Sequence, residues 1–536
     1  MGDSAEPSKK CGDHIVNPHH HQVSRRRTCL LVLCVWVLCS AAHAACPPAM
    51  APHLVQGATD SSPLQGQRVQ VRGVVTYSDQ IDTPQRNSLR GFFIQGPPSY
   101  QPQSSDGLFI YAPNHPVNVG DDVVVDGDVL EFHGLTEVTR VRRVQRCGQA
   151  APPAPVTIEA PAERYEGMRV QLPATRITEN YRLFGFGELV VAQGDQSWIL
   201  EDGSNDRRLT YVPFGMAQDP SLLANGRPLA PLTGVLSWRW DQWVVLPDTA
   251  LTPTYTGGWR IPRQPVDRTR LVVWNLKNLF NGDQQGFRAS RGASNAEEWM
   301  VQRTAIARHL AELNADIVAL QEVEHDYGTE HAVLPELVAA IAQAGGRTYD
   351  IIALPRRSGD DQITQAFLYD PEQVRPNGQP LLIDKHPRPS LAQRFVDRQA
   401  QVIGIVNVHL KSRAGCANQC AEPRTQGVKA LAAWLAQQPS APWLLAGDFN
   451  TLPDEALWQP LLQQGAQPVR LSAPTYWYRG QAQQLDHVWV SGMPAALQAQ
   501  VIQGHAELPP MPFNHPLFPV TQPWGVSDHN PIVMDW

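Results

Sequence analysis

The chain has 536 residues, 42% apolar and 18% charged, with a formal net charge of −7. That length exceeds one compact domain of ~100–200 residues, and the apolar share excludes a disordered chain. The acidic balance excludes a histone-like or polybasic binder, but not an enzyme with a local phosphate site.

Residues 1–24 are polar, Arg25-Arg26-Arg27 follow, and Cys29 to Ala42 is an apolar run ending at Ala42-His43-Ala44. This predicts a signal peptide over 1–44, cleaved after Ala44, for a secreted or periplasmic protein. The run is short of the ~20 residues of a spanning helix, so no membrane insertion is expected after cleavage. The remaining chain has net charge −9 and four cysteines. An even count in an exported chain predicts two disulfides, Cys46–Cys147 and Cys416–Cys420.

Prolines number 47 and cluster between apolar runs, which predicts many turns. Arg68–Val75, Gly91–Gln95, Gly107–Tyr111, Val123–Val125 and Val138–Val144 read as short strands of a small antiparallel barrel within 45–150. Ala151–Pro155 is a linker. Residues 156–260 form a second β module without a strict repeat, with strands near 167–172, 187–191 and 232–236. From 268 to 536 the pattern becomes strand–helix alternation. Leu271–Trp274, Ile317–Leu320, Val402–Val408, Trp443–Leu445, Leu485–Val490 and Ile532–Val533 are apolar strands. Helices are predicted over 297–313 and through Val428, Leu431 and Leu435. The expected fold class is α/β: a layered sandwich preceded by one or two β-barrel modules.

Polar residues stand at the ends of these apolar strands: Asn275, Gln321-Glu322, His409, Asp448 with Asn450, Asp486, and Asp528-His529. Strand ends on one rim are where layered α/β folds gather sites. Glu322, Asp528 and Asn275 offer hard oxygen ligands for Mg²⁺, Mn²⁺ or Ca²⁺. His409 and His529 suit phosphate contacts or proton transfer. Together these are parts for attack of water on a phosphate ester.

Gln321-Glu322, His409-Leu410-Lys411-Ser412, Gly447-Asp448-Phe449-Asn450, Leu485-Asp486-His487 and Ser527-Asp528-His529 occur in that order. In this the segment 268–536 resembles the endonuclease/exonuclease/phosphatase superfamily. The whole chain is similar to its bacterial extracellular nucleases, which carry an oligonucleotide-binding-like (OB-like) β module ahead of the catalytic domain. The resemblance implies that Glu322 is the principal metal carboxylate, with Asn275 beside it and Asp528 a further metal aspartate. It implies that Asp448 orients the attacking water, Asn450 holds the phosphate, Asp486 pairs with His529, and His409 is a second catalytic histidine. His487 follows Asp486 on its strand and should face the other way.

The leading reading is therefore an exported, metal-dependent endonuclease acting on nucleic acid, DNA first. The alternative is a phosphodiesterase or phosphatase of the same fold acting on lipid headgroups or small phosphate esters; Leu508–Phe513 is its one candidate apolar hairpin, and its prolines favour a rigid loop instead. A non-catalytic binding protein would not need the intact motifs. Residues 265–536 carry net charge −5, so phosphate contacts are assigned to Arg356-Arg357, Lys411, Arg413 and Arg479, with weak, salt-dependent binding. Phe92, Phe93, Phe109 and Tyr111 are candidate strand contacts on the first module, but neighbours Phe92 and Phe93 must face opposite ways, so half of the four are assigned to its core. The sequence points to no protein partner.

Overall fold

A computed structural model describes residues 46–536 apart from 84–86, 204–213, 215–219, 255–258, 284–285, 288–291, 354–360, 384–387, 414–420, 439–441, 494–496, 498, 514, 516–517 and 519–523. The predicted leader, Arg356-Arg357 and the Cys416–Cys420 pair lie outside the described residues. Everything below belongs to one unit, Ala45–Trp536.

After a short helix α1 (Pro52–Gln56), alternation in β1 (Arg68–Asp79) turns Val69, Val71 and Val75 inward. The strands β2 (Gly91–Gln95), β3 (Gly107–Tyr111), β4 (Asp121–Phe132) and β5 (Leu135–Gln149) join it in a closed barrel of order β1-β2-β3-β5-β4. Cys46 and Cys147 are paired, with Cα atoms 5.6 Å apart, which ties the start of the module to its last strand.

The second assembly is an eight-stranded sheet. Its members are β6 (Val156–Thr157), β7 (Arg169–Leu172), β8 (Thr175–Glu179), β9 (Glu188–Gln193), β10 (Gln196–Glu201), β11 (Pro228–Leu229), β12 (Leu232–Arg239) and β13 (Gln242–Pro247), with helix α2 (Leu183–Phe186) after β8. Its pairing repeats the barrel's. The two halves of β1 pair with β4 and β2; likewise β7 pairs with β12 and β8 with β9. β3 meets β5 in parallel, and β10 meets β13 in parallel. Pro173 separates β7 from β8, where a strand would need the amide hydrogen that proline lacks.

The barrel aromatics are not a strand-binding surface. Phe92 faces the barrel core, while Phe93 and Phe109 are buried in a seam with Leu135, Val235, Val244 and Leu246. A β-strand turns successive residues to opposite faces, and here both faces are covered. Of the four candidate contacts only Tyr111 is exposed.

The remainder is a two-sheet sandwich. Its first strands are β14 (Arg270–Leu279), β15 (Ile317–Glu324), β16 (Asp350–Ile352) and β17 (Ile363–Tyr369). Next come β18 (Arg375–Pro376), β19 (Leu381–Ile383), β20 (Ser390–Val396), β21 (Val402–His409), β22 (Trp443–Asp448) and β23 (Gln467–Pro468). A hairpin of β24 (Tyr476–Tyr478) and β25 (Gln481–Gln483) precedes β26 (Asp486–Ser491), β27 (Ala499–Val501) and β28 (Ile532–Asp535). One sheet runs β16-β17-β15-β14-β28-β27; the other runs β18-β20-β21-β22-β26-β23 with β19 on β20.

Their facing sides bury Leu271, Val273, Ala319 and Ile532 against Ile403, Ile405, Leu444, Ala446, Val488 and Val490. Helices α3 (Ala296–Leu313) and α4 (Val333–Gln343) cover the first sheet's outer side, and α5 (Ala421–Leu435) covers the other. Helix α3 starts where the Asn295 side chain accepts the Glu298 amide hydrogen. Because both faces of each sheet are covered, the strands read as continuous apolar runs.

Candidate active site

The inter-sheet columns of apolar side chains end in polar ones at one rim. Ile403 and Ile405 lead to Asn407 and His409, Leu444 and Ala446 to Asp448, and Val490 and Val488 to Asp486. His409, Asp448 and Asp486 are register partners across β21, β22 and β26. Gly447 is required there: a Cβ would lie 2.0 Å from the Val408 carbonyl oxygen. The opposite sheet brings Asn275, Glu322 and His529 to the same rim.

Glu322 gets there through an irregularity. The register of β15 shifts between Leu320 and Val323, and Glu322 adopts φ +57°, a left-handed conformation uncommon for a residue with a side chain. Gln321 and Glu322 consequently both reach across the sandwich instead of alternating. The Gln321 amide donates to Asn407 Oδ1 at 2.6 Å, and Glu322 Oε1 lies 3.8 Å from His409 Nε2. Glu322 Oε2 accepts the Asn278 amide hydrogen at 2.9 Å. Bulges of this kind re-aim side chains at functional sites.

Asp448 sits at the centre. Its oxygens accept from the Asn450 backbone amide at 2.8 Å, the Asn450 side chain at 3.0 Å and the Asn275 side chain at 3.1 Å. It also lies 3.7 Å from His409 Nε2 and 3.9 Å from His529 Nε2. His529 Nδ1 is 2.8 Å from Asp486 Oδ2. The His529 carbonyl accepts from the Trp274 indole, and Ser527 Oγ donates to the Asn275 carbonyl. His487 faces away, as alternation predicts. It lies 2.7 Å from the Thr451 carbonyl and 3.0 Å from the Gln484 amide, among Phe449 and Trp458.

Electrostatics follow from burial. Desolvation pushes the Asp448 carboxyl up to about 7, against the pull of His529. Desolvation would lower His529, but the charges of Asp486 and Asp448 outweigh it and raise the imidazole to about 10. The two carboxylates thus favour the protonated imidazole of His529.

Two ligand groups converge within 4.8 Å: Glu322, His409 and Asp448, and Asp448, Asp486 and His529. Buried carboxylates, one of them forced toward its neutral form, fit a divalent cation chemically. Among the described residues Asp528 belongs to neither group; it is half-buried beside His529 and adds to that histidine's positive charge. Asn275 and Asn450 direct their amides at Asp448 and so act as positioning residues. Asn450 also donates to the Leu410 carbonyl, so its hydrogens serve the turn rather than an open phosphate site. Lys411 and Arg413 are exposed on the rim, and Arg413 pairs with Glu455.

Sequence reasoning missed Arg388. It enters from the loop before β20 and joins Asp361 Oδ2 at 2.6 Å to His409 Nε2 at 2.9 Å. A guanidinium can only donate, so His409 Nε2 accepts and its proton resides on Nδ1. The signal available was an Arg-Pro pair opening a strand at the same rim.

Residues 272–529 match the Endonuclease/Exonuclease/phosphatase family. This domain belongs to that family. The endonuclease/exonuclease/phosphatase domain is a hydrolase of the phosphodiesterase and nuclease type; family members use divalent metals, and the Glu322 and Asp448 carboxylates are where one would be held here. Similar solved structures include a functionally unknown conserved protein from Enterococcus faecalis V583, 19% identical over 50% of this chain and 98% of that one, TM-score 0.34. An endonuclease/exonuclease/phosphatase family protein from Leptotrichia buccalis is 16% identical over 50% and 98%, TM-score 0.35. The human Nocturnin catalytic domain with bound sulfate is 18% identical over 51% and 95%, TM-score 0.35. No curated protein matches the chain.

Proposed function

We propose that this chain is an exported, divalent-metal-dependent endonuclease that hydrolyses phosphodiester bonds of nucleic acid, DNA first. The observation that carries the reading is the buried convergence of Glu322, His409, Asp448, Asp486 and His529 at one rim. Glu322 and Asp448 are the residues to hold Mg²⁺ or Mn²⁺, and Ca²⁺ suits the same oxygens. Such an ion supplies positive charge to phosphate oxygens in the transition state. Asp448, at the centre of the rim, is placed to orient the attacking water and accept its proton. His529, kept charged and oriented by Asp486, is placed to donate to the departing oxygen. Arg388 adds a fixed cation at the mouth, matched to phosphate.

The lipid-headgroup alternative loses its candidate hairpin. Leu508 and Phe513 are buried, and Phe513 packs into the core under α3. Among the described residues no helix is long and apolar enough to cross a membrane. Export rests on the Arg25–Ala44 pattern and on the Cys46–Cys147 pair, which persists in oxidising compartments.

The deciding experiment incubates purified residues 45–536 with plasmid DNA, RNA, sphingomyelin and a chromogenic phosphodiester, with and without divalent metal. Nicking and fragmentation of the plasmid is the expected result. Hydrolysis confined to sphingomyelin or the small ester would overturn the nuclease reading.

A further inference from the structure

The β24–β25 hairpin is fastened to the catalytic pair. Tyr476 forms an antiparallel bridge with His529, and their rings lie 4.8 Å apart. Immediately before it, the Thr475 hydroxyl accepts the Asp486 amide hydrogen, and the Thr475 carbonyl accepts that of Asn530. Strand alternation then sends Trp477 the other way, toward Gly226, and returns Tyr478 to the face of Tyr476. Tyr478 is 49% exposed. Arg479, at φ +47°, turns back so that its guanidinium lies 5.4 Å from the centre of the Tyr478 ring. The turn is buttressed from below: a Cβ on Gly480 would stand 3.0 Å from the Thr178 carbonyl oxygen of β8.

A rigid hairpin therefore carries an aromatic ring and a cation outward from the catalytic histidine. Tyr478 stands ~7 Å along the strand from Tyr476, two residue rises. That is the scale on which a sugar separates a phosphate from its base. A bare aromatic face would suit a quaternary ammonium headgroup, but the Arg479 charge over the ring repels one. A flat, neutral base linked to an anionic phosphate matches both groups at once.

We infer that Tyr478 and Arg479 form a stacking platform for an unpaired nucleobase of the substrate strand, next to the scissile phosphate. This rests on the nuclease reading above and adds to it that the base itself is held. Tyr478 supplies the face, Arg479 the charge, and the Thr178–Gly480 contact the rigidity.

The test measures KM for a single-stranded oligonucleotide and for a strand of equal length in which tetrahydrofuran units replace the base-bearing sugars. Wild type, Tyr478→Ala and Tyr478→Phe are compared in the full exported chain with Mg²⁺ or Mn²⁺. The expected result is a ~10-fold lower KM for the base-bearing strand in wild type and Tyr478→Phe, the scale of one stacked base. In Tyr478→Ala the two strands should become equal. A wild type that cleaves both strands with one KM, or a preference that survives in Tyr478→Ala, overturns the platform and leaves the nuclease reading standing. Hydrolysis of methyl 4-nitrophenyl phosphate with neither strand cut overturns the nuclease reading, and the platform with it.

Discussion

Asp486 Oδ2 and His529 Nδ1 lie 2.8 Å apart although 43 residues separate them, Asp486 opening β26 of one sheet and His529 standing just before β28 of the other. The carboxylate fixes the tautomer and stabilises the imidazolium. Replacing His529 by Ala should cost ~10²–10⁴-fold in kcat, the range for general acid–base catalysis. Asp486→Asn should cost a similar factor, and the double variant should be little worse than either. Steady-state kinetics on the three variants checks this, and strictly additive losses would break the assignment. His487→Ala should keep its turnover, because that ring bonds only on the outer face of β26.

Metal removal provides a second check. Excess chelator should abolish hydrolysis, and Mg²⁺ or Mn²⁺ should restore it. Glu322→Gln keeps the shape but removes the charge, and should lower activity at least ~10²-fold, the scale of one lost electrostatic element. It should also raise the metal concentration needed for half-maximal rate. Full turnover in chelator contradicts the whole scheme.

Arg388 joins Asp361 to His409, and a lysine cannot make both bonds from one planar fork. Arg388→Lys should lower kcat/KM by ~10–100-fold. The loss should exceed that of Asp361→Asn, which removes the anchor's charge but leaves the guanidinium in place. Kinetics of the two variants under one set of metal conditions decides between them.

The seam between the β assemblies should weaken with alkali. Burial and the charge of Glu163 raise Glu166 well above the usual carboxylate range, and burial raises Glu137 and Glu163 to about 7. Groups raised in the folded state bind protons more tightly than in the unfolded chain. Their stabilisation is complete below ~4.5 and lost as pH rises through 7. Glu166→Gln keeps the acceptor for Gln56 and Thr136. Its thermal midpoint should exceed wild type by a few degrees at pH 8 and match it at pH 5.

A buried pair works in the opposite sense. His309 and His505 face each other at 3.2 Å among Trp274 and Trp524. Burial lowers His309 to about 3 and His505 well below its ordinary value. Both are neutral when folded, so their stabilisation is present above ~6.5 and lost as pH falls. At pH 5 the loss from His309 alone is ~2 kcal/mol. Urea midpoints between pH 7 and 5 should fall less steeply in His309→Phe than in wild type, whatever its absolute stability.

Much of the rim was legible because the inter-sheet columns keep period two to their ends. Once Leu444 and Ala446 are read as core, Asp448 must emerge on the same face; the same holds for His409 and Asp486. Glu322 obeys no such rule, since a bulge sets its direction and strand propensity carries no mark of one. Arg388 was hidden because its partners, Asp361 and His409, stand in different segments. The burial of Phe93 and Phe109 depended on a second assembly more than a hundred residues downstream. The shared strand order of the two β assemblies left only Arg68-Val69-Gln70-Val71 and Arg169-Val170-Gln171-Leu172 as a trace.

The Glu507 carbonyl accepts from the Asn180 side chain and from the Asn225 amide, both at 2.8 Å. The Glu507 carboxylate in turn holds Asn530, the residue after His529. A preparation begun near residue 268, the tempting choice for crystallography or engineering, would strip both donors from a buried loop. It would open the Glu507 carbonyl to water and loosen the loop whose carboxylate holds Asn530, the neighbour of the catalytic histidine. An excised domain should therefore turn over more slowly than residues 45–536, which steady-state kinetics on the two preparations checks.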